Sequence, residues 1–405
     1  MDVRRIVVVG GGTAGTATAL ALRKAGFEVG VYEAHPDSAE DIGAFLTLAS
    51  NGMRALAQVD ASPAVTAIGF PLTGMRVLDA SGAELAQVPL GEAGDPLLQY
   101  RCLRRGELST ALQAEAERRG IRIRHGARLA SVEEGRDTVT ARFTDGSTAS
   151  GDLLIGADGL SSTVRRHITP TARPGYAGQY VFYGYTTRAP LTARTESARI
   201  TMVRGSAVTF GYAVSPEGET YWFARVSGEQ LAADEIAHGT PAHWHDLLLP
   251  LLRKDVTPAA DIVAATAEQI LVTNATEIPL GTPWRSGRTL LIGDAAHAAS
   301  PATGQGASMA LEDSVILAKS LRDAPDAPSA LSLYETLRRP RVEHNITVSG
   351  TISRGGHPAP RPGTGQGAPA PRPGEDELIR LLEWDSDIWT TNTPGSGKPA
   401  ADSTS

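Results

Sequence analysis

Thr289-Leu290-Leu291-Ile292-Gly293-Asp294-Ala295-Ala296-His297, with Pro301 and Gly304-Gln305-Gly306 close behind it, is the stretch on which the reading of this chain turns. Thr289 to Ile292 is short, apolar and followed by glycine, the pattern of a strand buried on both faces of a parallel sheet. Asp294 therefore emerges at the carboxyl edge of that sheet, where ligands bind in open α/β folds. Gly304-Gln305-Gly306 then opens a helix predicted over 308–321, and a helix N-terminus favours negative charge beside it.

Far upstream, Gly10-x-Gly12-x-x-Gly15 stands between an apolar strand, Arg5 to Val9, and a helix predicted from Thr13 to Lys24 and closed by Gly26. Glycines there permit a tight turn and let a pyrophosphate approach the N–H groups of the helix start, including those of Thr13 and Ala14. Glu33 ends the next strand, Glu28 to Tyr32, about twenty residues on, where a carboxylate accepts from an adenosine ribose and disfavours a 2′-phosphate. One strand-turn-helix unit binds one end of a nucleotide. A second carboxylate and a second glycine-rich helix start on the same sheet call for a longer ligand with another polyol and another functional head, and FAD meets that description. A third stretch, Gly156-Ala157-Asp158-Gly159 running into Ser162-x-x-Arg165, follows the apolar run Leu153 to Ile155. Alone it is an ordinary Asp-Gly turn; it gains weight from its company.

The rest of the sequence bounds the answer. The chain has 405 residues, enough for two domains, with 41% hydrophobic and 20% charged residues. A net charge of −7 argues against nucleic acid as a partner. A single cysteine, Cys102, leaves no internal disulfide framework and fits a cytoplasmic protein. The first strand begins without a basic-then-apolar leader, and the longest apolar run, Leu247 to Leu252, is short and contains Pro250, so no membrane insertion is expected.

We therefore expect an α/β fold: a Rossmann-like FAD-binding domain with a parallel sheet (residues 1–75, 101–175 and 276–350), an inserted antiparallel substrate sheet (76–100 and 176–275), and C-terminal helices. A helix is predicted over 103–119, and Val139 to Phe143 with the Asp145-Gly146 turn reads as a hairpin. Aromatic strands recur at 180–185, 200–203, 208–212 and 221–224. Residues 355–374 carry the hexapeptide Pro-Ala-Pro-Arg-Pro-Gly twice and read as a linker. A short terminal helix is expected within 375–391, over 377–384, and a disordered tail over 392–405. On that reading, nothing after Ser353 is needed for cofactor binding.

These motifs together resemble the class A flavoprotein monooxygenases, the para-hydroxybenzoate hydroxylase-like aromatic hydroxylases. They are Gly10-x-Gly12-x-x-Gly15 with Glu33, Arg105-x-x-Leu108-x-x-x-Leu112, Asp158-Gly159-x-x-Ser162-x-Val164-Arg165, and Gly293-Asp294 through Gly306 with Glu312-Asp313. The resemblance spans roughly residues 4 to 345. It implies non-covalent FAD, transient reduction by NADPH or NADH, and a flavin hydroperoxide that passes one oxygen atom of O2 to a bound small molecule. It implies that Arg105 contacts FAD, that Asp158, Gly159 and Arg165 serve the cofactors, that Asp294 meets the ribityl chain, and that Pro301 and Gly304 lie beside the isoalloxazine. Where many members carry Asn or Met, this chain has Ala307-Ser308, so contacts there are expected to be mostly backbone. His297 is expected to pack or hydrogen-bond rather than act as a base.

The substrate would lie between the inserted sheet and the flavin, with Tyr183, Tyr185, Phe210, Tyr212, Trp222 and Arg225 as candidates to line it. Which of them face inward depends on register, since a slip of one residue reverses the whole set. The expected reaction is hydroxylation or epoxidation of an aromatic or polycyclic small molecule, in natural-product tailoring of an indole, polyketide or terpenoid. Inactivation of a drug, reduction of prenyl double bonds and a flavin-bearing sensor are the alternatives. The Trp-x-Trp-x-Ile-Pro signature of flavin-dependent halogenases is absent.

Overall fold

Two large sheets meet through a small one. A computed structural model describes residues 3–38, 43–91, 95–191, 196, 198–267, 270–356 and 375–392. The first sheet is six-stranded, in the order Arg285–Ser286, Thr289–Leu291, Leu153–Gly156, Arg5–Val9, Glu28–Tyr32, Arg122–Arg124. It is parallel apart from the edge pair Arg285–Ser286 and Thr289–Leu291. Its central strand, Ile6 to Val9, is at most 3% exposed, because helices cover both faces. Helix Thr13–Lys24 packs on Gly306–Asp323, and helix Ala327–Ser353 crosses the latter. The hairpin Val139–Phe143 with Thr148–Gly151 forms as read, joined by Leu129–Glu134.

The second sheet has seven strands: Leu271–Glu277, Gly175–Thr186, Thr220–Ser227, Val208–Val214, Arg199–Arg204, Gly74–Asp79 and Glu84–Pro89. All pairings are antiparallel except that of Arg199–Arg204 with Gly74–Asp79. Between the two sheets lies a three-stranded one, Phe45–Leu48, Tyr100–Arg104 and Phe70–Leu72. This corrects the start of the helix predicted over 103–119. Leu103 pairs with Leu46 as a strand, and the helix runs Arg105–Arg118, with Glu107 accepting from the Arg104 N–H at 3.1 Å.

Register sorts the residues expected in the substrate cavity. Side chains alternate along a strand, so Tyr221, Phe223 and Arg225 share one face and Trp222, Ala224 and Val226 the other. Tyr183 stands opposite Phe223, and Tyr185 opposite Tyr221. Phe210, Tyr212 and Trp222 are core residues on the far face, packed with Phe182 against Trp244 and Leu248 of helix Pro241–Leu252 and Ile262 of helix Ala259–Ala264. Trp222 stacks on Phe210 at 5.7 Å and donates to Thr266 Oγ1 at 2.9 Å. These three residues do not line a cavity toward the first sheet. Tyr183 and Tyr185 do face it, in a separate cluster with Phe45, Tyr221 and Phe223.

The C-terminal segment forms the helix expected over 377–384, as Glu375–Leu382, and beyond expectation a second one, Ile388–Asn392, and both dock on Gly306–Asp323. Leu378, Leu382 and Ile388 are buried. Lys319 donates to Leu381 O and Glu383 O and, at 2.8 Å, to Ser386 Oγ. Trp384 lies between Lys24 and Arg322, each 5.1 Å from a ring centroid. Most of the Pro/Gly-rich stretch and of the tail, 357–374 and 393–405, falls outside the described residues.

Docking of this kind has a measurable stability. Leu382 is 0% exposed, so Leu382→Ala should lower unfolding stability by about 2–5 kcal/mol in a denaturant melt. A melt unchanged from the parent would mean that the segment does not pack as described.

Candidate functional site

The carboxyl edge of the six-stranded sheet gathers the glycine turn, Glu33, Asp158, Asp294 and Arg105. Val9 ends the central strand, and Gly10 turns the chain with φ +106, a conformation in which a side chain would be strained. A Cβ there would also meet Ala157 O at 2.3 Å, so this turn packs on the backbone of the neighbouring crossover. Gly11 O is held from behind by Thr16 Oγ1 at 2.8 Å and by the buried amide of Gln113 at 2.7 Å. Gly12 is different: a Cβ added to it would meet nothing within 4 Å. No side chain caps helix Thr13–Lys24 and its first turn carries no acid. The result is an open cradle of N–H donors at a positive dipole end, which suits a pyrophosphate. Glu33 closes one side, accepting from Gly11 N at 2.5 Å and His35 N at 2.7 Å.

Asp294 stands at the other end of the edge and pairs with Arg105 at 3.3 Å. Both are partly open to solvent. What fixes them is buried. Gly293 adopts φ +55, and its N–H donates to Asp313 Oδ2 at 3.0 Å. The same oxygen bonds His297 Nε2 at 2.6 Å, so His297 orients the turn and is not free to act as a base. Arg338 lies across Glu312 and Asp313, at 2.6 Å and 2.8 Å, and none of the three side chains is exposed. Glu312 also accepts from Arg341 at 2.8 Å and from Asn51 at 2.6 Å, and Asn51 donates on to Gln305 at 3.1 Å. Burial pushes Asp313 up, but the charges of His297 and Arg338 outweigh it and hold the carboxyl down at about 2. Glu312 is likewise lowered against the opposing effect of burial, by Arg338 and Arg341.

Backbone from Pro301 to Gly306 lines the space between. Pro301, Gly304 and Gly306 are exposed, and helix Gly306–Asp323 starts without a side-chain cap. Ser308 is turned away: it is 0% exposed and accepts from Ala49 N at 3.1 Å, tying helix Ser50–Gln58 to this one. Asp158 and Arg165 are occupied too. Asp158 accepts from Ser162 Oγ at 2.5 Å and from Thr163 N and Val164 N at 2.7 and 3.1 Å. Arg165 is 2% exposed and donates to Ala295 O at 2.8 Å and to Leu160 O. Their side chains brace the turns around the cradle. Gly159 is open, with nothing within 4 Å of an added Cβ.

The seven-stranded sheet supplies the facing wall. Phe45 meets Tyr221 at 5.6 Å and Tyr183 at 6.3 Å between ring centroids. Arg104 lies 4.4 Å from the Tyr185 ring centroid and pairs with Glu219 at 2.8 Å, joining this sheet to the strand that leads into Arg105. Burial raises the Tyr183 hydroxyl above its ordinary pKa, with the charges of Arg105 and Arg225 acting against it. Sequence reading missed Arg338, Asn51, Gln113, Arg104 and Phe45 as parts of this arrangement. Their partners are distant in sequence, and no local spacing marks them.

Known proteins resemble this chain over most of its length. A family model described as "FAD binding domain" matches residues 4–349. The chain is similar to the aurachin C monooxygenase/isomerase of Stigmatella aurantiaca, 30% identical over 361 residues, 86% of this chain and 88% of that protein. It is similar to the 3-amino-4-hydroxybenzoate 2-monooxygenase of Streptomyces cremeus, 32% identical over 349 residues, 84% of each. Among solved structures, Klebsiella pneumoniae HpxO complexed with FAD and uric acid superposes with a TM-score of 0.76 at 27% identity, covering 87% of this chain and 89% of that one.

The buried and the open carboxylates should respond differently to substitution. Arg338→Met removes the cation shared by two buried carboxylates and should lower stability by about 3–5 kcal/mol, with flavin lost alongside. Asp294→Ala is a partly exposed change and should shift stability by less than about 1 kcal/mol while emptying the purified protein of FAD. An Asp294→Ala protein that stays fully yellow would remove this residue from the cofactor site.

Proposed function

As the chain belongs to the FAD-binding-domain family of class A flavin-dependent monooxygenases, we propose that it uses NADPH or NADH and O2 to hydroxylate or epoxidise an aromatic or polycyclic small molecule held between the seven-stranded sheet and the flavin. The observation that carries this reading is the aromatic wall of Tyr183, Tyr185, Tyr221 and Phe223, set with Phe45 against the edge where Arg105 and Asp294 meet. The two relatives, an aurachin C monooxygenase/isomerase and a 3-amino-4-hydroxybenzoate 2-monooxygenase, support the same class of substrate.

The residues present suit FAD. In this reading Glu33 accepts from the adenosine ribose, and the N–H groups of Thr13, Ala14 and Gly15 receive the pyrophosphate over the space that Gly12 leaves open. Arg105 and Asp294 flank the ribityl chain, and the backbone from Pro301 to Ala307 lies along the ring. When bound, FAD takes electrons from the nicotinamide and activates O2, chemistry that no side chain supplies. The protein contributes orientation, dryness and electrostatics. Its aromatic wall excludes water from the reacting face, and the uncapped start of helix Gly306–Asp323 favours negative charge developing beside it. Asp313 holds Gly293, and through Gly293 the position of Asp294, without touching any ligand.

The test is NADPH and NADH consumption in air by the purified holoenzyme, alone and with phenols, indoles, quinolones and polycyclic metabolites. The expected result is a slow basal rate raised sharply by one compound class, with a product that carries one atom from labelled O2. Stimulated consumption without oxygen in the product would replace this reading by the prenyl-reductase one. A rate that no compound moves would defeat both.

A further inference from the structure

Two buried arginines in this chain have opposite surroundings. Arg338 is saturated by carboxylates, whereas Arg225 is 7% exposed and has none. Its Nε and Nη1 are buried without a hydrogen-bond partner, and no carboxylate among the described residues pairs with it. Among the described residues, its close electrostatic companions are rings. The guanidinium lies 5.6 Å from the Phe223 centroid, and Tyr183 is the group whose charge acts on it. Leaving a guanidinium buried and unpaired is costly, because its lost hydration is not replaced. Arg225 projects from the same face of the sheet as Tyr221 and Phe223, and Tyr183 is within the field of both Arg225 and Arg105. The unpaired fork therefore belongs to the wall that faces Asp294, not to the far core of Phe210 and Trp222.

We propose that Arg225 is a specificity residue that receives an oxyanion of the substrate, a ring-borne carboxylate, with the Tyr183 hydroxyl as the neighbouring donor. A planar fork with free N–H groups matches a carboxylate in two-pronged geometry, which neither lysine nor an amide reproduces. Burial of the pair would strengthen each hydrogen bond and exclude neutral analogues, which leave the cation unpaired. The inference rests on the flavin-facing reading of this wall, so its test is a binding measurement that needs neither reductant nor turnover.

The experiment titrates the oxidised holoenzyme with benzoate, anthranilate, salicylate and quinoline-2-carboxylate, each beside its carboxamide, and follows the visible flavin spectrum. Wild type should bind the acid of at least one pair about 10- to 100-fold more tightly than the amide. Arg225→Met should abolish that preference, keep its flavin and melt no lower than wild type, since it removes a buried charge without a partner. Arg225→Lys should retain only part of the preference. Equal binding of acids and amides, no binding by any acid, or an undiminished preference in flavin-loaded Arg225→Met overturns the proposal. So does a pronounced loss of thermal stability in both variants, which would assign Arg225 to the fold. An Arg225-dependent acid preference in an enzyme that never forms an oxygenated product would defeat the proposed reaction and leave this assignment standing.

Discussion

Arg338 reaching across Glu312 and Asp313, with no atom of the three side chains exposed, is the interaction on which the rest of this site depends. A buried pair is weak evidence for stability by itself, since desolvation can exceed the attraction. Here the group does geometric work. Asp313 fixes Gly293 and His297, and so the exit of Asp294 from its strand. Glu312 fixes Asn51 and, through it, Gln305 at the mouth of helix Gly306–Asp323. Asp294 and Gln305, which the proposed function puts beside the distal half of the cofactor, are thus set by adjacent residues on one helix that are neutralised by one arginine on the next. That is a rigid support for residues that must themselves stay open to a ligand.

The second constraint is how the two large sheets are joined. The strand Tyr100–Arg104 pairs within the small sheet, sends Arg104 up to Glu219 and the Tyr185 ring, and passes directly into the helix that begins with Arg105. Arg104 therefore faces the aromatic wall while Arg105 faces Asp294, so one peptide couples the position of the wall to that of Asp294. Phe45 fills the angle between them. On the proposed function, a substrate held on the wall would be placed relative to the flavin edge through these few short links.

How much of this was legible in the sequence follows from the range of each interaction. The strand, turn and helix around Gly10 to Gly15, the acid at Glu33, and the Gly293-Asp294 exit are local, and their spacing carries their meaning. The sheet strands were legible as alternating segments. Their facing was not, because Tyr212 and Tyr221 have the same chemistry and only cross-strand register puts one in the core and the other on the wall. Motif position puts Arg165 and Ser308 near the cofactor, Ser308 through its backbone. What it does not reveal is that both side chains satisfy buried backbone groups, a role that depends on partners over a hundred residues away. The helix expected over 377–384 was legible from the spacing of Leu378, Leu381 and Leu382, but its docking was not, because the acceptors it gives Lys319 lie more than sixty residues from that cation.

Arginine burial ties these observations together. Arg338, Arg165 and Arg101 are all buried, and each donates to carboxylates or carbonyls at hydrogen-bond distance. At each of them carboxylates or carbonyls meet the terminal guanidinium nitrogens, although the Nε of Arg165 is left without a partner. Arg225 has less: both its Nε and its Nη1 lack a partner among the described residues, and the wall beside it offers rings. Violations of local consistency collect at functional positions, because the missing partner arrives with the ligand. A chain that supplies acceptors to Arg338, Arg165 and Arg101 has the means to supply them here as well, with Gln179 and Thr209 on neighbouring strands and an acid at either costing a single substitution. That it does not is the strongest physical reason to assign the acceptor to the substrate.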